Sequence, residues 1–115
     1  MVSTAIYTRI DDSAPAAFSE RVIGILRNDL GFDRVVISDD LGVAKAAAEV
    51  PAAERGVRFV RAGGDLAISV DTEVAAAMAT GLVAAAETDP ELRRQIRRSA
   101  ERVVALKQHL RAGGC

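Results

Sequence analysis

Asp39 and Asp40 stand at the end of an apolar run, Val35-Val36-Ile37-Ser38, and are followed by Leu41-Gly42. A Val/Ile run without polar alternation suits a parallel strand covered on both faces, and such strands present their functional groups at the carboxyl end. A carboxylate delivered there can act as a nucleophile, accept a phosphoryl group, or do no more than cap the next turn. Successive side chains of a strand point to opposite faces, so the two aspartates are not automatically a working pair. Asp39 is the candidate for chemistry, and Asp40 for capping the turn, orienting the loop or touching a ligand.

Other chemistry-bearing residues are sparse. The one histidine, His109, lies between Gln108 and Leu110 near the end of a helical pattern, where a structural role is expected. Cys115 is the one cysteine and follows Ala112-Gly113-Gly114, so no internal disulfide forms. Two adjacent aspartates without a Cys/His cluster make a weak metal signal, and no metal or other cofactor is expected. Gly63-Gly64-Asp65 lacks the spacing of a phosphate loop and reads as a tight helix-to-strand turn. Arg93, Arg94, Arg97, Arg98 and Arg102 recur at helical spacing among Glu87, Glu91 and Glu101, which describes a solvated face.

The elements that must carry these groups follow from pattern. At 115 residues and 50% apolar content, the chain buries one modest core, and residues 1–115 are expected to form a single unit. Val2 to Tyr7 is β-prone and precedes the turn-rich Asp11-Asp12-Ser13-Ala14-Pro15. Ser19 caps a helix whose stripe is Val22, Ile23, Leu26 and Leu30, with Gly31 as the left-handed stop. Val35 to Asp39 is the second strand. A helical region from Val43, divided by Pro51, resumes through Arg55, Val57, Phe59 and Val60. Leu66 to Val70 is the third strand, Asp71-Thr72-Glu73 caps a helix over Val74 to Glu87, and Asp89-Pro90 starts the last helix. The order is βαβαβα plus a C-terminal helix, an α/β arrangement with parallel strands and right-handed crossovers.

Fifteen basic against sixteen acidic residues, three Phe, one Tyr and no Trp argue against a nucleic-acid partner. The apolar stretches fall short of the roughly 20 residues a membrane span needs. Met1 to Tyr7 has neither the basic region nor the cleavage site of a signal peptide, and localisation is unknown from this chain.

The stretch Leu30 to Gly42 strongly resembles the nucleophile motif of glycoside hydrolase family 3, in its β-N-acetylglucosaminidase branch. Three further segments resemble that family in order: Ser3-Thr4-Ala5 for its sixth strand, Ala62-Gly63-Gly64-Asp65 for its eighth, and Val103-Val104-Ala105-Leu106-Lys107 for its closing helix. The resemblance implies that Asp39 is the nucleophile of a retaining hydrolase cleaving β-linked N-acetylglucosamine, plausibly from peptidoglycan fragments, with Asp40 and Tyr7 as substrate contacts and no cofactor. It also implies three βα units of a (β/α)8 TIM-type barrel. A complete barrel needs about 250 residues, so the chain is expected to be a fragment that is inactive alone. The family branch carries its proton-donating histidine in a Lys-His-Phe-Pro-Gly-His-Gly type segment, which is absent here, and Ile6 stands where a histidine often follows Thr-Ala. The expected partners are a carbohydrate substrate and either the missing barrel half or further copies of the chain, since an open sheet exposes apolar edges.

Two other readings compete. A receiver-like domain would use Asp39 as phosphoryl acceptor, with Asp11-Asp12 as its acidic pair, but Val70-Asp71-Thr72 offers no lysine. A small interaction module would use the same exposed edges without chemistry.

Overall fold

A computed structural model describes residues 1–113. Helices α1 (Glu20–Gly24), α2 (Ala52–Arg61), α3 (Thr72–Thr88) and α4 (Pro90–Ala112) accompany two parallel strands, β1 (Ile37–Asp40) and β2 (Leu66–Ile68). Cys115 lies outside the described residues. None of the helices described is long and apolar enough to cross a membrane.

Local signals explain most of the boundaries. The Ser19 hydroxyl accepts the N–H of Val22 at the start of α1, and Asp71 and Asp89 cap α3 and α4 by accepting two N–H groups each. Each cap satisfies amides that a helix end otherwise leaves bare, typically worth about 1 kcal/mol. Gly31 has φ 63°, in the left-handed region where a side chain is disfavoured, and ends the first helical segment as expected. That segment is less regular than its apolar stripe implies: Ile25–Asp29 continues α1 as a π-helical turn, and Leu30 is left exposed. Pro51 divides the second helical region, whose first part shrinks to the 3-10 turn Lys45–Ala47.

The expected first strand, Val2 to Tyr7, is corrected by the structure. Only Val2 joins the sheet, as a parallel bridge to Ser38, its N–H donating to Ile37 O and its carbonyl accepting from Asp39 N. Beyond Val2 the backbone turns toward Pro15–Ala17 instead: Ser3 O and Ala5 O accept from Ala17 N and Ala16 N. The third strand is also shorter than expected, because Val70 N donates to the Asp40 side chain and not to a neighbouring strand. Val2, β1 and β2 still lie side by side in chain order, the parallel succession that βα units produce.

Ile23, Val36, Leu41, Phe59 and Met78 form the main core between the strands and the helices. Burying each such side chain contributes about 1.5–3 kcal/mol. Val57, Val60 and Leu92 seal α2 against α3 and α4, with Leu82, Ala85 and Ile96 packed around them. The hydrophobic layer therefore holds β1 through Val36 before it and Leu41 after it, while Asp39 and Asp40 at its carboxyl end stay partly exposed.

Candidate functional site

Asp39 and Asp40 occupy the last two positions of β1, both partly exposed. β1 and β2 are paired with an irregularity: Ile37 lies opposite Leu66 and Asp40 opposite Ile68, three steps on one strand against two on the other. The buried Ser38 hydroxyl accepts the Ile68 N–H at 2.9 Å within this irregular stretch. A bulge of this kind bends the strand and re-aims the neighbouring side chains, here the aspartates.

The two carboxylates are held differently. Asp39 Oδ1 accepts the backbone N–H of Asp40 at 2.8 Å, its one hydrogen bond among the described residues. Asp40 is occupied at both oxygens: Oδ1 accepts from Gly42 N at 2.7 Å and Val43 N at 3.1 Å, and Oδ2 from Val70 N at 3.0 Å. Desolvation alone would raise the Asp40 pKa, but the N–H groups of Val70, Gly42 and Val43 outweigh it and hold the carboxyl below its ordinary value. Asp40 thus ties the turn after β1 to the segment after β2, and Asp39 is the carboxylate with acceptor capacity to spare.

Tyr7 is exposed, with its hydroxyl 3.3 Å from that of Ser3, and its carbonyl accepts from Ile10 N and Asp11 N to close a turn. Asp11 is committed elsewhere, accepting from Ser13 and from the Ser19 hydroxyl at 2.6 Å. Those bonds, led by the Ser13 hydroxyl, lower its pKa to about 2. A carboxylate spent on a turn and a helix start does not serve as the second acid of a receiver site.

The opposite end of the sheet is built around Asp65, just before β2, whose side chain is fully buried. It accepts from Arg27 and from Val36 N on one oxygen, and from the Ser99 hydroxyl at 2.8 Å and Arg102 at 3.0 Å on the other. Arg27 and Arg102 bring α1's continuation and α4 to the start of β1. Arg102 therefore does not belong to a solvated face, and Arg93 caps α3 by donating to Ala86 O and Glu87 O. Arg94 and Arg98 pair with Glu91 on the surface. His109 is exposed and lines a groove with Asp33, Arg34 and Val35, which lead into β1 at the end away from Asp39.

Arg55 is a site residue that pattern did not single out. It sits in α2, is 8% exposed, and donates to Val50 O at 2.8 Å, Leu41 O at 2.8 Å and Gly42 O at 3.0 Å. An arginine inside an apolar helical stripe, four residues past a proline, was the available signal. No group of three or more His, Cys, Asp or Glu side chains suited to a metal ion occurs among the described residues.

Comparison with known proteins bears on this geometry. Residues 1–106 match the model of the glycosyl hydrolase family 3 N terminal domain. A beta-hexosaminidase of Alkalilimnicola ehrlichii is 42% identical over 69 residues, which are 59% of this chain and 20% of that protein. A beta-hexosaminidase of Pseudomonas aeruginosa is 34% identical over 96 residues, 83% of this chain and 29% of that one. The crystal structure of a beta-N-acetylhexosaminidase from Beutenbergia cavernae superposes with a TM-score of 0.88 at 40% identity, covering 92% of this chain and 32% of the other. The chain thus spans a fifth to a third of the length of these relatives.

Proposed function

The chain belongs to glycosyl hydrolase family 3, a family of glycosidases built on a TIM-type barrel, and on that footing we propose that it supplies the nucleophile of a retaining β-N-acetylhexosaminidase. Asp39 is the attacking carboxylate. Its oxygen bonds to the anomeric carbon of a terminal β-linked N-acetylglucosamine while the glycosidic C–O bond breaks and the leaving oxygen takes a proton from an acid. Water then cleaves the glycosyl ester and releases the sugar with its configuration retained. Peptidoglycan fragments carrying such a sugar are the substrate we favour.

One observation carries the reading: of the two carboxylates at the carboxyl end of β1, Asp40 has both oxygens engaged by backbone N–H groups, whereas Asp39 keeps one. Asp40 shapes the loop on which the sugar rests, and Tyr7, exposed on the segment after Val2, is the second sugar contact. The acid that protonates the leaving group comes from outside these residues, since His109 lines a groove at the other end of β1. General acid catalysis contributes about 10²–10⁴-fold, so the chain by itself is expected to be inactive. Its natural partner is the remainder of such a barrel.

The test mixes this chain with the complementary barrel segment of a beta-hexosaminidase relative and assays a chromogenic N-acetylglucosaminide. Turnover that requires both pieces and disappears in Asp39→Asn supports the reading. Turnover that survives Asp39→Asn, in a mixture that assembles, overturns it.

A further inference from the structure

Two consecutive peptide units after β1 lie between opposite charges. In the unit joining Leu41 to Gly42, the carbonyl accepts from Arg55 Nη1 at 2.8 Å and the N–H donates to Asp40 Oδ1 at 2.7 Å. In the unit joining Gly42 to Val43, the carbonyl accepts from the same Nη1 at 3.0 Å and the N–H donates to the same Oδ1 at 3.1 Å. Both peptide dipoles therefore run from the carboxylate to the guanidinium, each charge favouring the dipole end turned toward it. Asp40 and Arg55 are coupled through the backbone without an ion pair between them.

Gly42 leaves the room this arrangement uses. A Cβ there would meet Ser69 Oγ and lie 3.0 Å from Asp40 Oδ1, so those side chains would have to shift. Arg55 also reaches Val50 O at the far end of the loop, so one side chain gathers both ends of the segment between β1 and α2. Burying a guanidinium against carbonyls alone is expensive, and an aliphatic side chain would fill the space at lower cost. What the charge adds is orientation. Asp40, fixed by the coupled peptides, presents its own N–H to Asp39 Oδ1.

We propose that Arg55 is a positioning residue for the Asp39 carboxylate, acting through the peptide units of Leu41, Gly42 and Val43 and through Asp40. Its consequence for turnover rests on Asp39 being the nucleophile; the coupling itself is measured without turnover. Lysine keeps the charge but cannot reproduce the fork that serves three carbonyls, whereas methionine removes the charge.

The experiment uses the full 115-residue chain carrying Arg55→Met or Arg55→Lys, and reads amide exchange and aspartate carboxyl titrations by NMR. In Arg55→Met, exchange at Gly42 and Val43 is expected to quicken about tenfold, the scale of one charge-assisted hydrogen bond. The Asp40 titration moves up, and exchange at Glu73 and Val74, capped by Asp71, stays as in the parent chain. In Arg55→Lys the same two amides quicken while the Asp40 titration stays low. A folded Arg55→Met chain with unchanged Gly42, Val43 and Asp40 overturns the proposal. If Arg55→Met does not fold, Arg55→Lys decides alone: quickening confined to Gly42 and Val43 sustains it, and none, or quickening equal to that at Glu73 and Val74, overturns it.

Discussion

Ser38 Oγ accepts the backbone N–H of Ile68 at 2.9 Å, a side chain taking the place of a ladder carbonyl where β1 carries one residue more than β2. Ser38 is fully buried, so no water can replace it. Ser38→Ala leaves the Ile68 amide without its partner, at a cost of about 1–3 kcal/mol. Urea unfolding should report that loss. In the reassembled enzyme the same substitution should lower turnover, because the bulge that aims Asp39 relaxes; an unchanged urea midpoint would show that the hydroxyl holds nothing.

Asp65 gathers Arg27, Arg102, Ser99 and the Val36 amide around one buried carboxylate. Removing its charge while both arginines remain leaves Arg27, the more buried of the two, with the carbonyls of Gly63, Phe32 and Arg34 but no counter-charge. Asp65→Asn is therefore expected to destabilise by about 3–5 kcal/mol, the scale for breaking a buried pair from one side. Asp33→Asn serves as the control, since its pairing with Arg34 is exposed and such pairs are worth about 0–1 kcal/mol. Equal effects of the two substitutions would remove Asp65 from its structural role.

Acid should weaken the fold in a defined window. Asp11, Asp40 and Asp89 all have lowered pKa values; for Asp89 the Leu92 amide contributes most, followed by Arg61. A carboxyl depressed in the folded chain contributes stability that is complete above its ordinary value and is lost as pH falls through the folded one. For Asp11 that interval runs from 3.8 down to about 2. Urea midpoints should hold steady from neutrality toward mild acid and decline across this interval, and Asp11→Asn should shallow the decline. A decline of the same depth in Asp11→Asn would assign it to other carboxyls.

Much of this was legible in the residues because local chemistry decides it. Ser19, Asp71 and Asp89 cap helices where expected, Gly31 stops one, and the apolar run ends by setting Asp39 at the carboxyl end of a parallel strand. Contacts remote in sequence decided the rest. Val2 to Tyr7 has strand propensity, yet only Val2 is paired, since the carbonyls of Ser3 and Ala5 find partners in Ala17 and Ala16. Val36 N goes to Asp65 and Val70 N to Asp40, so side chains shorten both strands relative to their β-prone runs. Arg102 reads as one of a solvated row of arginines and Arg55 stands out only as a charge within an apolar stripe; nothing in their spacing reveals which carbonyls or carboxylate they reach.

Exposed apolar surface makes the last expectation one of association. Leu66, on strand β2, is 40% exposed and Val83 on α3 is 64% exposed. Val83 lines an apolar groove of about 340 Å³ with Leu82, Ala86 and Ile96. Among the described residues β2 is paired on one side only, by β1, and a strand edge left open is a template for another chain, as an apolar groove is a second surface for one. In the longer relatives this chain accounts for a third of the length or less, so surfaces bare here have further polypeptide available to cover them. Alone in solution, the chain is expected to bind a second copy of itself, with the weight-average mass by light scattering rising with concentration. Leu66→Lys, which places a charge on the strand, should shift the rise to higher concentration, and so should adding the complementary barrel segment. A constant monomer mass over the whole range would mean that these faces are stable in water without a partner, and would count against the requirement for a barrel remainder.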